Sequence, residues 1–427
     1  MFTNYFNSSS IGGIKMTKLL IVSPLLWKFL LLDFFMDASY IQEHKSLKKR
    51  FQIILRKLLF IVNIMNMIAF MMFFASFMFQ KPFCLKHLIS GILSILQVTV
   101  TLYRYINIIL NRNEILQILQ KFPALYSVEY QQKYRFACII KNFMLYKLHS
   151  VVLFLAAYLG GLVITINFWI TGNINEYQVL LFQNLILRSA VFIWMQLTFF
   201  TFLATILVTE VLQYALIASL AIDFKILAYK FENLKDEVAA KQKLLKTVLK
   251  KTLSSSAPST LNWNKQMSSH THFTMDDLKP LIDQHAELFK IHKNLKNILN
   301  IPFLMTFIQS SILLSFMAVR ITYGGNDRGF FISGLIRNFR NIYFQCHYCQ
   351  VLKDSSSSIA EAINRCGWEN INDKAVKLAL MMIIKRSQVP ASFFVMNISE
   401  ITLEQLTAII LSTYSYYTIC LNLYDRK

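Results

Sequence analysis

The sequence predicts an all-α membrane protein with seven transmembrane helices, a cytosolic N-terminus and an extracellular C-terminus. Three observations carry this prediction. The 427 residues are 55% hydrophobic and only 16% charged, with a mean hydropathy of +0.44, whereas a globular domain is roughly 45–50% apolar and about a quarter charged. Apolar runs of membrane length recur along the chain. The basic residues between these runs lie almost entirely on one side of the predicted membrane.

Seven apolar segments each hold roughly the 20 residues that a helix needs to cross about 30 Å of hydrocarbon. The fourth is too long for one crossing, so its end should project into water. The sixth is the least apolar, because it contains Arg337 and Arg340. The predicted spans are 52–80, 87–110, 148–170, 188–224, 299–322, 330–352 and 401–424.

These spans divide the chain into six segments. The N-terminal segment carries "MTKLLIVSPLLWKFLLL", which Lys28 and Asp33 interrupt, so it predicts an interfacial helix rather than a signal peptide. The longest linker holds a basic, Ser-rich insertion, predicted to be a solvated tether or a lipid-headgroup or calmodulin site. The segments are 1–51 (N-terminal), 52–225 (spans one to four), 226–298 (cytosolic linker, with the insertion at 239–275), 299–352 (spans five and six), 353–400 (cytosolic anchor) and 401–427 (span seven).

The distribution of lysine and arginine predicts the orientation. The segments before span one and between spans two and three, four and five, and six and seven carry 32 Lys and Arg residues, and those on the opposite side carry 5. Because basic residues concentrate on the cytosolic side, the N-terminus is predicted to lie in the cytosol. The net charge of +21 is then a collar facing membrane lipids, and no nucleic-acid partner is expected.

Motifs of enzymes and of other seven-helix proteins are missing from the sequence. "QCHYCQ", with Cys346, His347 and Cys349, supplies at most three of the four ligands of a zinc site. There is no nucleotide-binding loop, nucleophile elbow or buried acidic relay, so neither enzymatic activity nor a metal or other cofactor is expected. No Asp-Arg-Tyr follows span three and no Asn-Pro-x-x-Tyr ends span seven, and the orientation is opposite to that of a G-protein-coupled receptor.

The last third of the chain carries three ordered blocks that resemble insect odorant receptors. The first is "LIDQHAELFKIHKNLKNILNIPFLMTFIQSSILL", on the approach to span five. The second is "QCHYCQVLKDSSSSIAEAINRCGW", at the exit from span six. The third is "IIKRSQVPASFFVMNISEITLEQLTAIILSTYSYYTICLNL", which contains Arg386-x-Gln388-x-Pro390, Thr402-Leu403-Glu404 and Ser412-x-Tyr414-Ser415-Tyr416.

This resemblance implies an odorant-binding subunit of a ligand-gated cation channel, assembled with odorant co-receptor subunits in a heterotetramer. It also implies a small volatile ligand and a location in the plasma membrane of the sensory neuron dendrite. The short helix "KAVKLALMMIIKR", ended by Pro390, would belong to the inter-subunit anchor. The alternative is a gustatory-type receptor channel of the same superfamily, although the Gln-Phe that usually ends those chains is missing.

The resemblance also implies where a ligand would bind. The family's odorant pocket lies in the outer half of the membrane among spans two to six. Apolar and aromatic residues at that depth are candidates, although such a stripe can equally be core packing. The candidate pocket residues are Tyr158, Gly161, Thr165 and Trp169 on span three, Phe192, Trp194, Met195 and Phe199 on span four, and Phe331 at the start of span six.

Span seven lines the central pore in that family, which requires polar side chains on a lipid-compatible helix. Thr413, Tyr417 and Cys420 recur at intervals of four and three, on one helix face, and are the candidate pore residues. The alternative is that the tyrosines form an interfacial aromatic belt. For Arg337 and Arg340, two interpretations stay open: recognition of an acidic odorant, or a defective or wrongly bounded sixth span.

Overall fold

The computed structural model describes residues 10–11, 14–15, 58, 61–73, 75, 85–121, 185–234, 274–323, 328–371, 373–395 and 399–425. Helices account for most of these residues, in agreement with the predicted class. The described residues also contain two short antiparallel hairpins. In one, β1 (Ser10–Ile11) pairs with β2 (Ile14–Lys15), and in the other β3 (Phe394–Val395) pairs with β4 (Ser399–Glu400).

The described helices follow the order of the predicted spans. They are α1 (Ile61–Phe73), α2 (Leu85–Leu110), α3 (Arg112–Lys121), α4 (Leu185–Glu232), α5 (Met275–Tyr323), α6 (Arg328–Arg365), α7 (Lys374–Ser387) and α8 (Leu403–Asp425), with one 3-10 turn at Trp368–Asn370. Span three lies outside the described residues, and α1 covers part of span one. Both Arg337 and Arg340 lie within α6, which continues through them.

Three helices in the described part of the chain are long and apolar enough to cross a membrane: Gly91–Leu110, Ile193–Glu232 and Met275–Tyr323. The helices α4 and α5 contain 48 and 49 residues, roughly 72 and 74 Å at 1.5 Å per residue, which is more than twice the hydrocarbon thickness. The helix α5 therefore continues without a break from Met275 through the predicted span 299–322. The cytosolic location of its Met275 end stays a prediction.

The chain forms two compact units. The first comprises Met1–Leu216, Lys296–Tyr348 and Phe393–Lys427, and the second Ile217–Leu295 and Cys349–Ser392. The first unit holds two apolar clusters. In one, Met67 and Phe70 of α1 pack with Val98 of α2 and with Phe202 and Ile206 of α4. In the other, Leu93 of α2 packs with Leu313 and Met317 of α5 and with Phe331 of α6.

The second unit packs aromatic and polar side chains of α4, α5 and α7 together. Phe289 of α5 lies edge-on to Phe224 of α4, with ring centroids 5.3 Å apart, and under the guanidinium of Arg386, 3.8 Å from the ring centroid. The Nε2 atom of His285 lies 3.2 Å from the Oγ of Ser387. Ser387 is the last residue of α7, which ends before Pro390 as the sequence predicts.

Local capping explains where two helices begin. Asp373 caps α7, because its Oδ1 accepts a hydrogen bond from the backbone N–H of Ala375 at 2.8 Å. Before α8, the backbone N–H of Gln405 donates to the Oγ1 of Thr402 at 3.4 Å, which is half of a capping box. The side chain of Gln405 instead accepts from the Oγ of Ser399 on β4. The hairpin β3–β4 thus takes part in starting α8.

Candidate functional site

The predicted pocket residues divide into three groups. Tyr158, Gly161, Thr165 and Trp169 lie outside the described residues, as does the side chain of Phe192. On α4, the Nε1 of half-buried Trp194 donates to the Oδ1 of Asn66 on α1 at 3.4 Å, and Met195 and Phe199 pack against the α1–α2–α4 cluster. The structure therefore brings Trp194, Met195 and Phe199 to the side of α4 that meets α1.

Phe331 lies in the other apolar cluster, between α2, α5 and α6. It is buried against Leu313 and Met317. The guanidinium carbon of Arg320 on α5 lies 4.8 Å from the centroid of the Phe331 ring, a cation–π arrangement. Phe331 and Met195 thus belong to two separate clusters of the first unit.

A buried ionic cluster joins three helices of the first unit. The carboxylate of Glu210 on α4 lies 3.6 Å from Nη1 of Arg104 on α2 and 3.6 Å from Nη2 of Arg340 on α6. The side chains are 2%, 4% and 10% exposed. Arg104 also donates to the hydroxyl of Thr306 on α5. One carboxylate therefore serves two cations, so these three side chains carry a net charge of +1.

A second polar contact between α4 and α6 lies close in sequence to the first. The hydroxyl of Tyr214 lies 2.5 Å from the Oδ1 of Asn341, and its ring stacks on that of Tyr348 with centroids 5.7 Å apart. All three residues are buried. Because a buried hydroxyl needs a hydrogen-bond partner, these contacts fix how α4 and α6 face each other within the first unit.

Two hydrogen bonds join the last helix, α8, to α5. The Oγ of Ser315 donates to the backbone carbonyl of Thr413 at 3.2 Å, and the hydroxyls of Thr322 and Tyr417 lie 3.1 Å apart. Thr413, Tyr417 and Cys420, the candidate pore residues, are all half-buried. Thr413 and Tyr417 therefore lie on or beside the side of α8 that meets α5.

Another part of the surface of α8 is not packed against any described part of the chain. Leu411, Tyr414, Tyr416 and Ile419 are all more than half exposed, with Tyr414 at 65%. An apolar and aromatic surface of this kind on a helix of membrane length is suited to lipid, to another subunit or to a pore.

One signal in the sequence could have identified Glu210 and Arg104. Both are charged residues inside predicted spans, 188–224 and 87–110, where charge is costly and has a partner as a rule. Their pairing could not be predicted, because it depends on the rotation of two helices. Within the described residues no group of three or more His, Cys, Asp or Glu side chains is arranged to hold a metal ion.

These features define a helical membrane protein with buried interhelical ion pairs. Residues 84–414 match the 7tm Odorant receptor family, so the chain belongs to that family. Two curated relatives from Drosophila melanogaster are Odorant receptor 85c, 26% identical over 156 residues, and Odorant receptor 85b, 24% identical over 152 residues. Each alignment covers 35% of this chain and only 39% and 38% of the respective relative.

Solved structures with the same fold come from Machilis hrabei. The insect olfactory receptor OR5 superposes with a TM-score of 0.67, covering 86% of this chain and 90% of that one, at 11% identity. Its complex with eugenol gives a TM-score of 0.69, covering 93% and 97%, also at 11% identity. The predicted all-helical membrane fold is thereby confirmed. The chain is an odorant-receptor family membrane protein and not an enzyme.

Proposed function

We propose that this chain is the odorant-binding subunit of a ligand-gated cation channel in insect olfactory neurons. The observation that carries the proposal is the structure of α8. One part of its surface is hydrogen-bonded to α5 through Thr413 and Tyr417, while Leu411, Tyr414 and Ile419 remain exposed. A helix that is bonded to its own subunit on one side and exposed on another is suited to a position where it meets a central pore or neighbouring subunits.

The second unit supports assembly with other subunits. Its short helix α7 buries Val376, Leu380 and Ile383, and it exposes Leu378 and Met382, at 55% and 60%. Exposed apolar side chains that recur at four-residue spacing form a surface for a neighbouring protein. We assign this surface to odorant co-receptor subunits in a heterotetramer.

The ligand is proposed to be a small volatile molecule held in the outer half of the membrane. Trp194, Met195 and Phe331 supply apolar and aromatic surface, and Tyr158, Gly161, Thr165 and Trp169 stay candidates. The related olfactory receptor OR5 was solved in complex with eugenol, a small aromatic molecule, which supports this class of ligand. The proposed location is the plasma membrane of the sensory neuron dendrite.

Co-expression with the odorant co-receptor tests the proposal. We expect currents in response to an odorant panel that persist in excised patches without GTP, because no step other than ligand binding opens the channel. The control is the co-receptor alone, which should not respond to the same odorants. Currents that require GTP, or that never exceed those of the co-receptor alone, would contradict the proposed function.

A further inference from the structure

The seam between α5 and α6 carries a positive charge among apolar side chains. Leu313, Met317 and Arg320 recur at four and three residues along α5 and so share one helix face. The first two pack with Phe331 of α6 in a buried cluster. The remaining member, Arg320, places its guanidinium carbon 4.8 Å from the Phe331 ring centroid.

The nitrogen Nε of Arg320 is buried and has no hydrogen-bond acceptor in the described structure. None of the described carboxylates lies within ion-pair distance of this arginine. The Nε of Arg340 on the neighbouring helix also has no acceptor among the described residues, but Arg340 has a counter-ion, since Glu210 lies 3.6 Å from its guanidinium. A buried donor without an acceptor is unfavourable, so the Nε of Arg320 is suited to donate to an acceptor on a ligand.

The position of Arg320 in the last turn of α5 offers a simpler explanation, because the C-terminal end of a helix stabilises a cation. That effect accounts for a positive charge but not for its placement. An arginine that serves only the helix end extends its guanidinium into water. Here the guanidinium lies over an aromatic ring, and its Nε is removed from solvent.

We propose that Arg320 binds the carboxylate of a small acidic ligand and so determines the chemical class that this receptor detects. This inference rests on the function proposed above. The aromatic ring of Phe331 occupies a face of the guanidinium plane, whereas its hydrogen-bond donors point outward along the edge. Nε and one terminal nitrogen then form the pair of parallel donors that matches the two oxygens of a carboxylate.

The rest of the seam is suited to the apolar part of such a ligand. Leu93, Leu313 and Met317 are all buried hydrophobic side chains. Gly334 permits the close approach of Met317, since a Cβ at that position would lie 3.0 Å from the methionine Cε. Methionine is flexible and polarizable, so this wall can adapt to alkyl or aryl groups of different shape.

The experiment measures binding to the purified full-length chain in lipid nanodiscs, so that it does not depend on channel opening. The probes are pentanoate, hexanoate, octanoate and phenylacetate, each compared with its own methyl ester. The variants are Arg320→Gln and Arg320→Lys. The control Arg328→Gln removes a positive charge from the exposed first residue of α6.

At neutral pH we expect at least one carboxylate to bind more tightly than its ester, because the ester cannot accept a charge-assisted pair of hydrogen bonds. Arg320→Gln should raise the dissociation constant of that carboxylate about tenfold to a hundredfold and change that of a bound ester less than about threefold. Arg320→Lys should retain part of the affinity, and Arg328→Gln should leave it unchanged.

Three results would overturn the inference: no carboxylate binds more tightly than its ester, Arg328→Gln weakens binding as much as Arg320→Gln, or acids and esters weaken equally in Arg320→Gln. Equal weakening of acids and esters is also the result expected if Arg320→Gln unfolds the protein or if Arg320 binds a lipid headgroup instead. Failure of the proposed function is separate. Carboxylate binding that depends on Arg320 without any current in the co-expressed channel would contradict the function and leave this site standing.

Discussion

Glu210 on α4 is the counter-ion of Arg340 on α6: the carboxylate Oε2 lies 3.6 Å from Nη2, and both side chains are buried. This relationship bears on the two interpretations of the arginines in the sixth span. The helix α6 is continuous through Arg340, and the charge is balanced by a residue of another span. Arg340 is therefore better explained as part of an interhelical ion cluster than as a direct contact for an acidic odorant.

We predict that Glu210→Gln destabilises the protein by about 3–5 kcal/mol, because it leaves two buried guanidiniums without their carboxylate. The measurement is thermal unfolding of the purified protein. The control is Glu361→Gln, which removes the carboxylate of an exposed pair with Arg365 and should cost no more than about 1 kcal/mol. Equal losses in the two variants would contradict the buried ionic cluster.

Removing Arg104 should cost less than removing Glu210. The cluster has two arginines for one glutamate, so Arg104→Met leaves a balanced Glu210–Arg340 pair, although it also loses the hydrogen bond to Thr306. We expect a loss of about 1–3 kcal/mol in the same unfolding experiment. A larger loss than that of Glu210→Gln would mean that Arg104, rather than the charge balance, holds these helices together.

Much of the fold could be predicted from sequence because its signals are local. The charged first half of α5 runs without a break into an apolar half, a pattern that is typical of one continuous helix. Pro390 predicts the end of α7, and Thr402 is a residue type that favours the start of a helix, as at α8. Each of these signals depends on residues a few positions apart, where backbone geometry decides the outcome.

The rotation of the helices could not be predicted in the same way. The helix α4 is apolar on nearly all sides, so no polar face indicates which residues meet which neighbour. Spacing along a span predicts depth in the membrane but not rotation, so Met195 and Phe331 are both candidates for one pocket although they lie in separate clusters. The pairing of Arg104 with Glu210 also depends on the rotation of two helices, so it could not be predicted from spacing along the chain.

The pH dependence of the second unit should reflect His285, which lies outside the predicted spans. Burial, together with the nearby charge of Arg386, lowers the pKa of His285 from 6.5 to about 4. Below about pH 6.5 the unfolded chain therefore binds a proton at His285, whereas the folded unit does not bind it until about pH 4. The free energy of unfolding should fall as the pH decreases through this window and be insensitive to His285 above it.

His285→Gln should remove this part of the pH dependence, since glutamine can still reach Ser387 but does not titrate. Arg386→Gln should reduce it without removing it, because burial is the larger cause of the lowered pKa. Hydrogen exchange of α7 between neutral pH and pH 5 is the measurement. If the pH dependence of hydrogen exchange in α7 is unchanged in His285→Gln, another titrating group is responsible.

The hydrogen bonds between α5 and α8 should contribute to channel opening. Tyr417→Phe removes the hydroxyl that lies 3.1 Å from Thr322, a contact of about 0.5–1.5 kcal/mol. If α5 transmits ligand binding to α8, we expect the half-maximal odorant concentration to rise roughly twofold to tenfold. The control is Tyr416→Phe, because Tyr416 is adjacent but 55% exposed. Equal effects at both positions would contradict this role of Tyr417.

The last prediction concerns which face of α8 lines the pore. If Thr413, Tyr417 and Cys420 do so, a membrane-impermeant thiol reagent should reduce the current of the open channel, and Cys420→Ser should abolish that effect. Tyr417→Ala should then alter ion permeability ratios without changing which odorants activate the channel. Accessible cysteines of the co-receptor must be replaced first.

The matched test is Ile419→Cys in the Cys420→Ser background, because Ile419 is 55% exposed whereas Cys420 is half-buried. We expect faster modification at Cys420 than at the introduced cysteine when the channel is open. The reverse order, with permeability unchanged in Tyr417→Ala, would assign the pore to the surface of Leu411 and Ile419 and leave the candidate residues as contacts within the subunit.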